Sequence, residues 1–129
     1  MVGEYLLDTN LFVAYFNGEQ SVIDKIITAN EIALPAVALG ELQYGAAASQ
    51  RPEENQERIR KLMTWARLIV CDDVTALHYG RIKFALRLKG TPIPDNDIWI
   101  AATAMQADLP LISRDEHFRH VEGIRWEIW

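Results

Sequence analysis

The stretch Tyr5-Leu6-Leu7-Asp8-Thr9-Asn10 decides the fold that this sequence predicts. Its first three residues form an apolar run that is too short for a helix and indicates a buried strand. The next three residues favour turns and helix caps, so a helix is predicted to follow at once, over residues 11–17, and to stop at Gly18. A buried strand that leads directly into a helix is typical of an α/β fold.

The same alternation of strand and helix continues along the chain. Short apolar runs predict further strands, and the last residues alternate between apolar and charged, as in a strand at a sheet edge. The predicted strands cover residues 31–34, 68–71, 110–113 and 124–128. Helices are predicted over residues 22–29, 37–48, 59–66, 74–89 and 98–105. Ser21 and Asp24 are predicted to form a capping box at the start of the first of these helices. Asp72 and Asp73 are predicted to cap the helix that starts at residue 74, and Asp95 and Asn96 the helix that starts at residue 98.

Strands separated by helices in this way imply right-handed crossovers and a parallel sheet between two helix layers. The predicted fold class is therefore α/β, with residues 98–105, apolar nearly all round, as a buried central helix. The sequence has no internal repeat, no low-complexity tract and no convincing linker, and its 129 residues match the usual size of one domain. We therefore expect a single domain over residues 1–129.

The net charge of −5, from 13 basic and 18 acidic residues, has the wrong sign for a protein that coats nucleic acid through its phosphates. It does not exclude a nuclease, because carboxylates gathered in a metal site lower the net charge. The single cysteine, Cys71, excludes intrachain disulfides and thiolate metal sites, and its apolar neighbours predict a place in the core. No apolar run is long enough to span a membrane, and residues 1–10 lack the features of a secretory signal, so we expect a cytoplasmic protein.

Four acidic residues occupy corresponding positions in the predicted fold. Asp8 follows the first strand, Glu41 lies early in the helix after the second, Asp97 lies in the first turn of the central helix, and Asp115 follows the fourth strand. Functional sites of open α/β sheets lie beyond the carboxyl ends of the strands. Each acid alone is better explained as a helix cap, since acids at helix starts are favourable. Their placement at one end of the sheet favours a shared site.

Clustered carboxylates repel one another unless some are protonated or a cation neutralises them. Mg²⁺ and Mn²⁺ prefer oxygen ligands, which suits a group of acids without histidine or cysteine. Such an ion can lower the pKa of a bound water and stabilise the charge that develops on a phosphodiester. These residues therefore predict a metal-dependent nuclease.

Four motifs resemble those of the PIN domains and, within them, of the VapC-type toxins of toxin-antitoxin pairs. They span nearly the whole chain: Leu7-Asp8-Thr9-Asn10, Gly40-Glu41-Leu42-Gln43-Tyr44-Gly45, the run from Pro94 to Ala104, and Ser113-Arg114-Asp115 followed by His117-Phe118. The resemblance implies a three-layer α/β/α sandwich with a central, mostly parallel sheet. It also implies a Mg²⁺-dependent endoribonuclease, with Mn²⁺ as an alternative ion, a VapB-type antitoxin whose C-terminal segment blocks the active site, and a homodimer formed through helices.

By the same resemblance, the catalytic and metal-binding residues are Asp8, Glu41, Asp97 and Asp115. Asp8 and Asp97 are expected to bind the metal directly. Glu41 is expected to bind it or to position water, and Asp115 to bind through water or to hold a second ion. Ser113 stands where such toxins often carry threonine, another small hydroxyl residue.

Candidate substrate contacts are Asn10, Ser113 and Arg114. Arg114, next to Asp115, could contact a phosphate or could pair with an acid of the cluster. A basic run without an intervening acid is equally well explained as a track for the RNA backbone or as the solvated face of a helix. It consists of Arg81, Lys83, Arg87 and Lys89.

Several other residues are expected to be structural. Asp95, two positions before Asp97, is interpreted as a loop or cap residue. The histidines are scattered and form no recognisable carboxylate-histidine arrangement, so they are expected to be structural or surface residues: His78, His117 and His120. The tryptophans are expected in the core or at an interface: Trp65, Trp99, Trp126 and Trp129.

Two other functions remain open at this point. A receiver-like phosphoacceptor domain also uses a Mg²⁺ pocket on a parallel sheet, and Asp72 would be its acceptor. Such a domain needs a lysine at the end of a late strand, where this sequence has Ser113-Arg114-Asp115. A catalytically silent PIN-like binding module is the second alternative, although a binding role gives no reason to gather mutually repelling carboxylates.

Overall fold

The computed structural model describes residues 3–129. Residues 1 and 2, which belong to the N-terminal stretch compared above with a secretory signal, lie outside the described residues. The strands are β1 (Glu4–Leu7), β2 (Glu31–Pro35), β3 (Arg67–Ile69), β4 (Leu111–Ile112) and β5 (Trp126–Glu127). The helices are α1 (Thr9–Phe16), α2 (Gln20–Thr28), α3 (Ala36–Ala47), α4 (Pro52–Trp65), α5 (Asp73–Lys89) and α6 (Asp95–Ala107), and a 3-10 helix covers Glu116–His120. The predicted order of strands and helices is confirmed. Within residues 3–129, no helix combines the length and the apolar character needed to cross a bilayer.

The strands form one sheet in the order β3-β2-β1-β4-β5, and all four pairings are parallel. β1 is central, and its Leu6 is in register with Ala33 of β2 on one side and Leu111 of β4 on the other. Because the strands are parallel, their carboxyl ends all lie at one edge of the sheet. β5 is an outermost strand of the sheet, as the alternation of apolar and charged residues in 124–128 predicted.

Helices cover both faces of the sheet, which confirms the predicted α/β/α sandwich. Neighbouring residues of a strand point to opposite faces. Leu6 accordingly packs in one core with Leu86 of α5 and Ile100 of α6. Leu7 packs in the other core, with Phe12 of α1. The predicted central helix is α6, in which most residues from 97 to 104 are buried.

The ends of α5 agree with the signals in the sequence. Asp72 caps its first turn, where the carboxylate accepts hydrogen bonds from the backbone N–H groups of Val74 and Thr75 at 2.9 and 3.1 Å. Gly90 ends the helix with a φ of 71°, in the left-handed region that glycine adopts without strain. These local signals define the two ends of α5.

The sequence-based expectations for the start of α2 and for Cys71 are wrong. Ser21 and Asp24 do not form a capping box, because α2 begins one residue before Ser21, and the Asp24 carboxylate accepts a hydrogen bond from Gln20 Nε2 at 2.7 Å. Cys71 is exposed rather than part of the core. The reason is that β3 ends at Ile69, so the chain has already left the sheet when it reaches the cysteine.

Candidate active site

Asp8 is the first residue after the central strand β1, so it lies in the middle of the carboxyl edge of the sheet. It also caps α1, because its Oδ1 accepts a hydrogen bond from the backbone N–H of Thr9 at 2.8 Å. The residue is only 4 % exposed. A strand that passes directly into a helix leaves no loop to carry this carboxylate into solvent, so it stays buried at the edge.

The other three predicted acids reach this edge from different elements. Asp97 lies in the first turn of α6 and is 5 % exposed. Asp115 follows β4 and caps the 3-10 helix, with its Oδ1 accepting from the N–H of His117 at 2.9 Å. Glu41 lies in α3, half-buried, and its Oε1 accepts a hydrogen bond from Asn96 Nδ2 at 3.2 Å.

These acids lie close enough to influence one another. Asp97, Asp115 and His117 each place one ligand atom within 4.8 Å of the others. Asp8 is affected by the charges of Asp97 and Glu41, and Asp97 by those of Asp115 and Glu41. The structure thus brings all four predicted acids into one electrostatically coupled group.

The two buried carboxyl groups hold their protons more tightly than usual. The pKa of Asp8 is raised to about 6, chiefly because burial disfavours its charged form. Hydrogen bonds from Ser113 and Thr9 oppose this rise, and the negative charges of Asp97 and Glu41 add to it. The pKa of Asp97 is also raised, again chiefly by burial. A nearby cation would stabilise the charged form of both groups.

Ser113 and Asn10, both candidates for substrate binding, contact Asp8. The buried Ser113 hydroxyl donates to Asp8 Oδ2 at 2.7 Å and accepts from the backbone N–H of Asp115 at 3.0 Å. The Asn10 amide lies 3.3 Å from Ser113 Oγ and 3.4 Å from Asp8 Oδ2. In the observed arrangement these side chains hold the Asp8 carboxylate in one orientation.

Arg114 points to an acid outside the group. Its Nη1 donates to Glu19 Oε2 at 3.0 Å, a second contact joins Nη2 to Oε1, and its Nε donates to the carbonyl oxygen of Trp129 at 2.9 Å. Of the alternatives that the sequence left open, the structure therefore shows an ion pair, but with the residue before α2 rather than with one of the four acids. Glu19 lies 95 residues away along the chain, and no local pattern predicts this pair.

His117 is the residue that sequence reasoning missed. Its Nδ1 lies 3.0 Å from Asp97 Oδ2 and 3.0 Å from Asp115 Oδ1, so the expectation that no histidine accompanies the acids is wrong. The hydrogen bond with Asp97 is the main reason that the pKa of His117 is raised. A signal was present: Asp115 caps the turn that follows β4, and a residue two positions after a cap lies beside the capping carboxylate.

Asp95 does not cap α6, which corrects the expectation from the sequence. The helix is preceded by Pro94, and Asp95 is its first residue. The Asp95 carboxylate instead accepts hydrogen bonds from Lys83 Nζ at 3.1 Å and from the Tyr79 hydroxyl at 2.9 Å. Trp99, half-buried, stacks on the Tyr79 ring with 4.1 Å between centroids, as expected of a packing residue. Asp95 therefore joins α6 to α5 and is not part of the acidic group.

The donor groups at this edge fit a hard divalent cation. Carboxylate oxygens from four elements converge there, with one imidazole beside them, and Mg²⁺ and Mn²⁺ prefer such oxygen ligands. A bound cation would neutralise the buried, mutually repelling carboxylates of Asp8 and Asp97. Asp8, Glu41, Asp97 and Asp115 are the residues that could hold it.

Comparisons with known proteins identify the family of this chain. The sequence model of the PIN domain family matches residues 5–124. Ribonuclease VapC2 from Haemophilus influenzae is 31 % identical over 98 % of both chains. A chain in the crystal structure of DNA-bound VapBC from Salmonella typhimurium matches with a TM-score of 0.91 and 28 % identity, over 100 % of this chain and 99 % of that one. A chain of VapBC-5 from Mycobacterium tuberculosis, a member of the VapBC family of toxin-antitoxin systems, matches with a TM-score of 0.74 and 26 % identity, over 97 % of this chain and 96 % of that one. The chain belongs to the PIN domain family and, within it, to the VapC type.

Proposed function

We propose that this protein is a Mg²⁺-dependent endoribonuclease, the toxin of a VapBC-type toxin-antitoxin system, and that Mn²⁺ can replace Mg²⁺. The observation that carries the proposal is the convergence of Asp8, Glu41, Asp97 and Asp115 at the carboxyl edge of the sheet, with Asp8 and Asp97 almost fully buried. Ribonuclease activity in the name of the relative from Haemophilus influenzae supports RNA as the substrate. The nuclease occupies a single domain, residues 1–129, and acts in the cytoplasm.

The four acids have different proposed roles in binding the metal. Asp8 and Asp97 bind it directly, Glu41 binds it or positions the attacking water, and Asp115 binds through water or holds a second ion. When bound, the cation supplies a water of lowered pKa and stabilises negative charge on the phosphoryl oxygens. Ser113 keeps Asp8 oriented through the 2.7 Å hydrogen bond, which prepares the site before RNA arrives.

The substrate-binding role of Arg114 requires it to change partners. Its guanidinium is about one-third exposed and is held by Glu19, so it can reach a phosphate by exchanging that carboxylate for a phosphate oxygen. Guanidinium groups bind both anions in the same two-pronged geometry. Asn10 lies within hydrogen-bond reach of Asp8 and is therefore proposed to contact RNA at the scissile phosphate, whereas the fully buried Ser113 acts on the substrate only by orienting Asp8.

A VapB-type antitoxin is the proposed protein partner, because matched chains were solved as VapBC assemblies.

The homodimer is supported by the surface of α5. Val74, Leu77, Phe84 and Leu88 are 43, 50, 59 and 71 % exposed, although all are large and apolar. Their spacing of three, seven and four residues is that of the a and d positions of a heptad repeat, with Arg81 at the remaining a position. We propose that this stripe packs against the same stripe of a second copy.

Incubation of a mixed RNA pool with the purified protein tests the proposed activity. Cleavage, followed on gels, should require Mg²⁺, stop with a chelator and disappear in Asp97→Asn. Asp95→Asn is the matched control, since Asp95 is exposed and two positions from Asp97, and it should cleave like the wild type. Cleavage that persists in Asp97→Asn would contradict the site assignment.

The two alternative functions lack a supporting observation. Asp72 is engaged as the cap of α5 and follows β3, which lies at the side of the sheet, whereas a receiver-like acceptor ends a middle strand. For the silent binding module, the expected result is metal binding without turnover of any RNA in the pool. The same incubation therefore separates this alternative from the proposed ribonuclease.

A further inference from the structure

His117 adds one nitrogen atom to the group of acids. Its Nδ1 lies 3.0 Å from Asp97 Oδ2 and 3.0 Å from Asp115 Oδ1, and the three atoms all lie within 4.8 Å of one another. Of the three histidines of the chain, this is the one that joins such a group within residues 3–129. The proposed roles of the four acids leave this imidazole without a function.

The two equal distances are not those of a single hydrogen bond. One N–H group points at one acceptor, because a hydrogen bond weakens steeply as it bends. Nδ1 nevertheless lies as close to the Asp115 oxygen as to its partner on Asp97. A metal ion differs from a proton because it binds ligands from several directions. Adjacent ligands of an octahedral ion with bonds of about 2.1 Å lie about 3.0 Å apart, and this spacing is found here.

The backbone on both sides of His117 holds the ring in this position. Asp115 caps the 3-10 helix, and its Oδ1 accepts from the His117 N–H at 2.9 Å as well as contacting the ring. The next residue, Phe118, is buried in the core that contains α6. At the end of the 3-10 helix, Lys89 Nζ donates to the carbonyl oxygen of His120 at 2.7 Å. The imidazole is therefore placed beside the acids before any metal binds, as a preorganised set of ligands requires.

The group of acids is open to solvent on the side of the imidazole. The Asp97 side chain is buried, that of Asp115 is partly exposed, and that of His117 is half-exposed. An ion can therefore reach the buried carboxylate and keep some of its waters. Arg114, the basic residue next to Asp115, pairs with Glu19 and leaves the carboxylates free for a cation.

A nitrogen ligand changes which ion a site prefers. Mg²⁺ binds oxygen ligands and keeps several waters, whereas imidazole is a usual ligand of transition-metal ions. Of the two ions in the proposed function, Mn²⁺ belongs to the transition series. We propose that His117 Nδ1 is a direct ligand of the cation shared by Asp97 and Asp115, and that this nitrogen makes the site prefer Mn²⁺ to Mg²⁺. The inference rests on the metal dependence in the proposed function.

Pulsed electron paramagnetic resonance tests the contact, because it detects nitrogen bound to Mn²⁺. At about pH 8, since a metal ligand must have lost its proton, the Mn²⁺-loaded wild type should show the signal of one bound imidazole. Labelling histidine with the heavier nitrogen isotope should shift this signal. His117→Asn should remove the signal, and His120→Asn, the matched control three positions away, should keep it. Bound Mn²⁺ without a histidine-nitrogen signal would overturn the proposal, and so would a protein that binds no Mn²⁺.

Titration calorimetry separates a metal ligand from a residue that only orients the acids. His117→Asn should weaken Mn²⁺ binding at least about tenfold, a loss that even an orienting group can cause. It should change Mg²⁺ binding less than about threefold, because water can replace the imidazole on an ion that prefers oxygen. His120→Asn should change neither affinity. Equal weakening of both ions in His117→Asn would overturn the direct contact, since His117 would then act only on the carboxylates.

Neither measurement depends on RNA cleavage or on the folding of one variant. The wild-type spectrum with labelled histidine needs no substitution, so the proposal can be tested even if His117→Asn does not fold. A histidine-nitrogen signal in a protein that cuts no RNA would support this ligand and contradict the ribonuclease. Cleavage of RNA by a Mn²⁺-loaded protein without the signal would overturn the ligand and leave the ribonuclease standing.

Discussion

At Asp8, a carboxylate lies almost fully buried after the central strand, and burial raises its pKa to about 6. The ordinary value is 3.8, so the folded protein without metal binds this proton more tightly than the unfolded chain does. The Asp8 side chain therefore makes its full contribution to the free energy of unfolding below about pH 4, where it is protonated, and this contribution is lost as the pH rises through about 6. The difference in pKa corresponds to about 3 kcal/mol.

The variant Asp8→Asn should therefore change stability in a pH-dependent way. In the presence of a chelator, we expect it to match the wild type near pH 4 and to exceed its free energy of unfolding by up to about 3 kcal/mol at pH 8, because the amide carries no buried charge. Urea denaturation at several pH values measures the difference. Asp24→Asn, at an exposed carboxylate, is the control and should change stability by less than about 0.5 kcal/mol. A constant difference between wild type and Asp8→Asn from pH 4 to 8 would contradict the raised pKa.

Ser113 is a second single residue on which the site depends, because its hydroxyl orients the Asp8 carboxylate. Removing it in Ser113→Ala should weaken Mn²⁺ binding about tenfold to a hundredfold, as is usual for a group that orients a metal ligand. Ser113→Thr keeps the hydroxyl and should bind Mn²⁺ like the wild type. Titration calorimetry measures both affinities. Equal binding by the alanine and threonine variants would show that Asp8 does not need this hydrogen bond.

Among the elements, α5 is stabilised at its start by a side-chain cap, whereas α4 is not. Asp72 accepts from the N–H groups of Val74 and Thr75, while the residue before α4, Arg51, makes no such bond. Asp72→Ala should lower the free energy of unfolding by about 1 kcal/mol, and Arg51→Ala by less than about 0.5 kcal/mol. Urea denaturation compares the two. A similar loss in both variants would mean that the cap contributes nothing beyond a surface substitution.

At the scale of the whole molecule, the exposed apolar stripe of α5 predicts self-association. Leu88→Glu places a charge on the stripe and should convert a dimer into a monomer, because a carboxylate buried between two apolar helices is strongly unfavourable. Ile27, on α2, is equally exposed at 72 % and lies outside the stripe, so Ile27→Glu is the matched control. Sedimentation velocity gives the masses. A wild-type monomer at all concentrations, or a dimer that Leu88→Glu leaves intact, would refute this interface.

The sequence by itself determined the order of strands and helices, the parallel sheet and the position of Asp8 after β1 and of Asp115 after β4. These features depend on local signals: the length of apolar runs, helical periodicity, and caps such as Asp72 and Gly90. The handedness of crossovers then leaves few arrangements for alternating strands and helices. For this reason the sequence alone predicts the edge of the sheet at which the four acids lie, although their catalytic roles stay a proposal.

Only the tertiary structure decided which side chains meet across long stretches of chain. Arg114 pairs with Glu19, His117 lies between Asp97 and Asp115, and Asp95 binds Lys83. The local sequence left Arg114 open between a phosphate contact and pairing with an acid of the cluster, and it suggested a structural or surface role for His117 and a loop or cap role for Asp95. The physical reason is that a polar side chain forms its hydrogen bonds and ion pairs with the groups that lie within a few ångströms of it. The packing of helices against the sheet, and not the neighbouring residues in sequence, sets which partners are there.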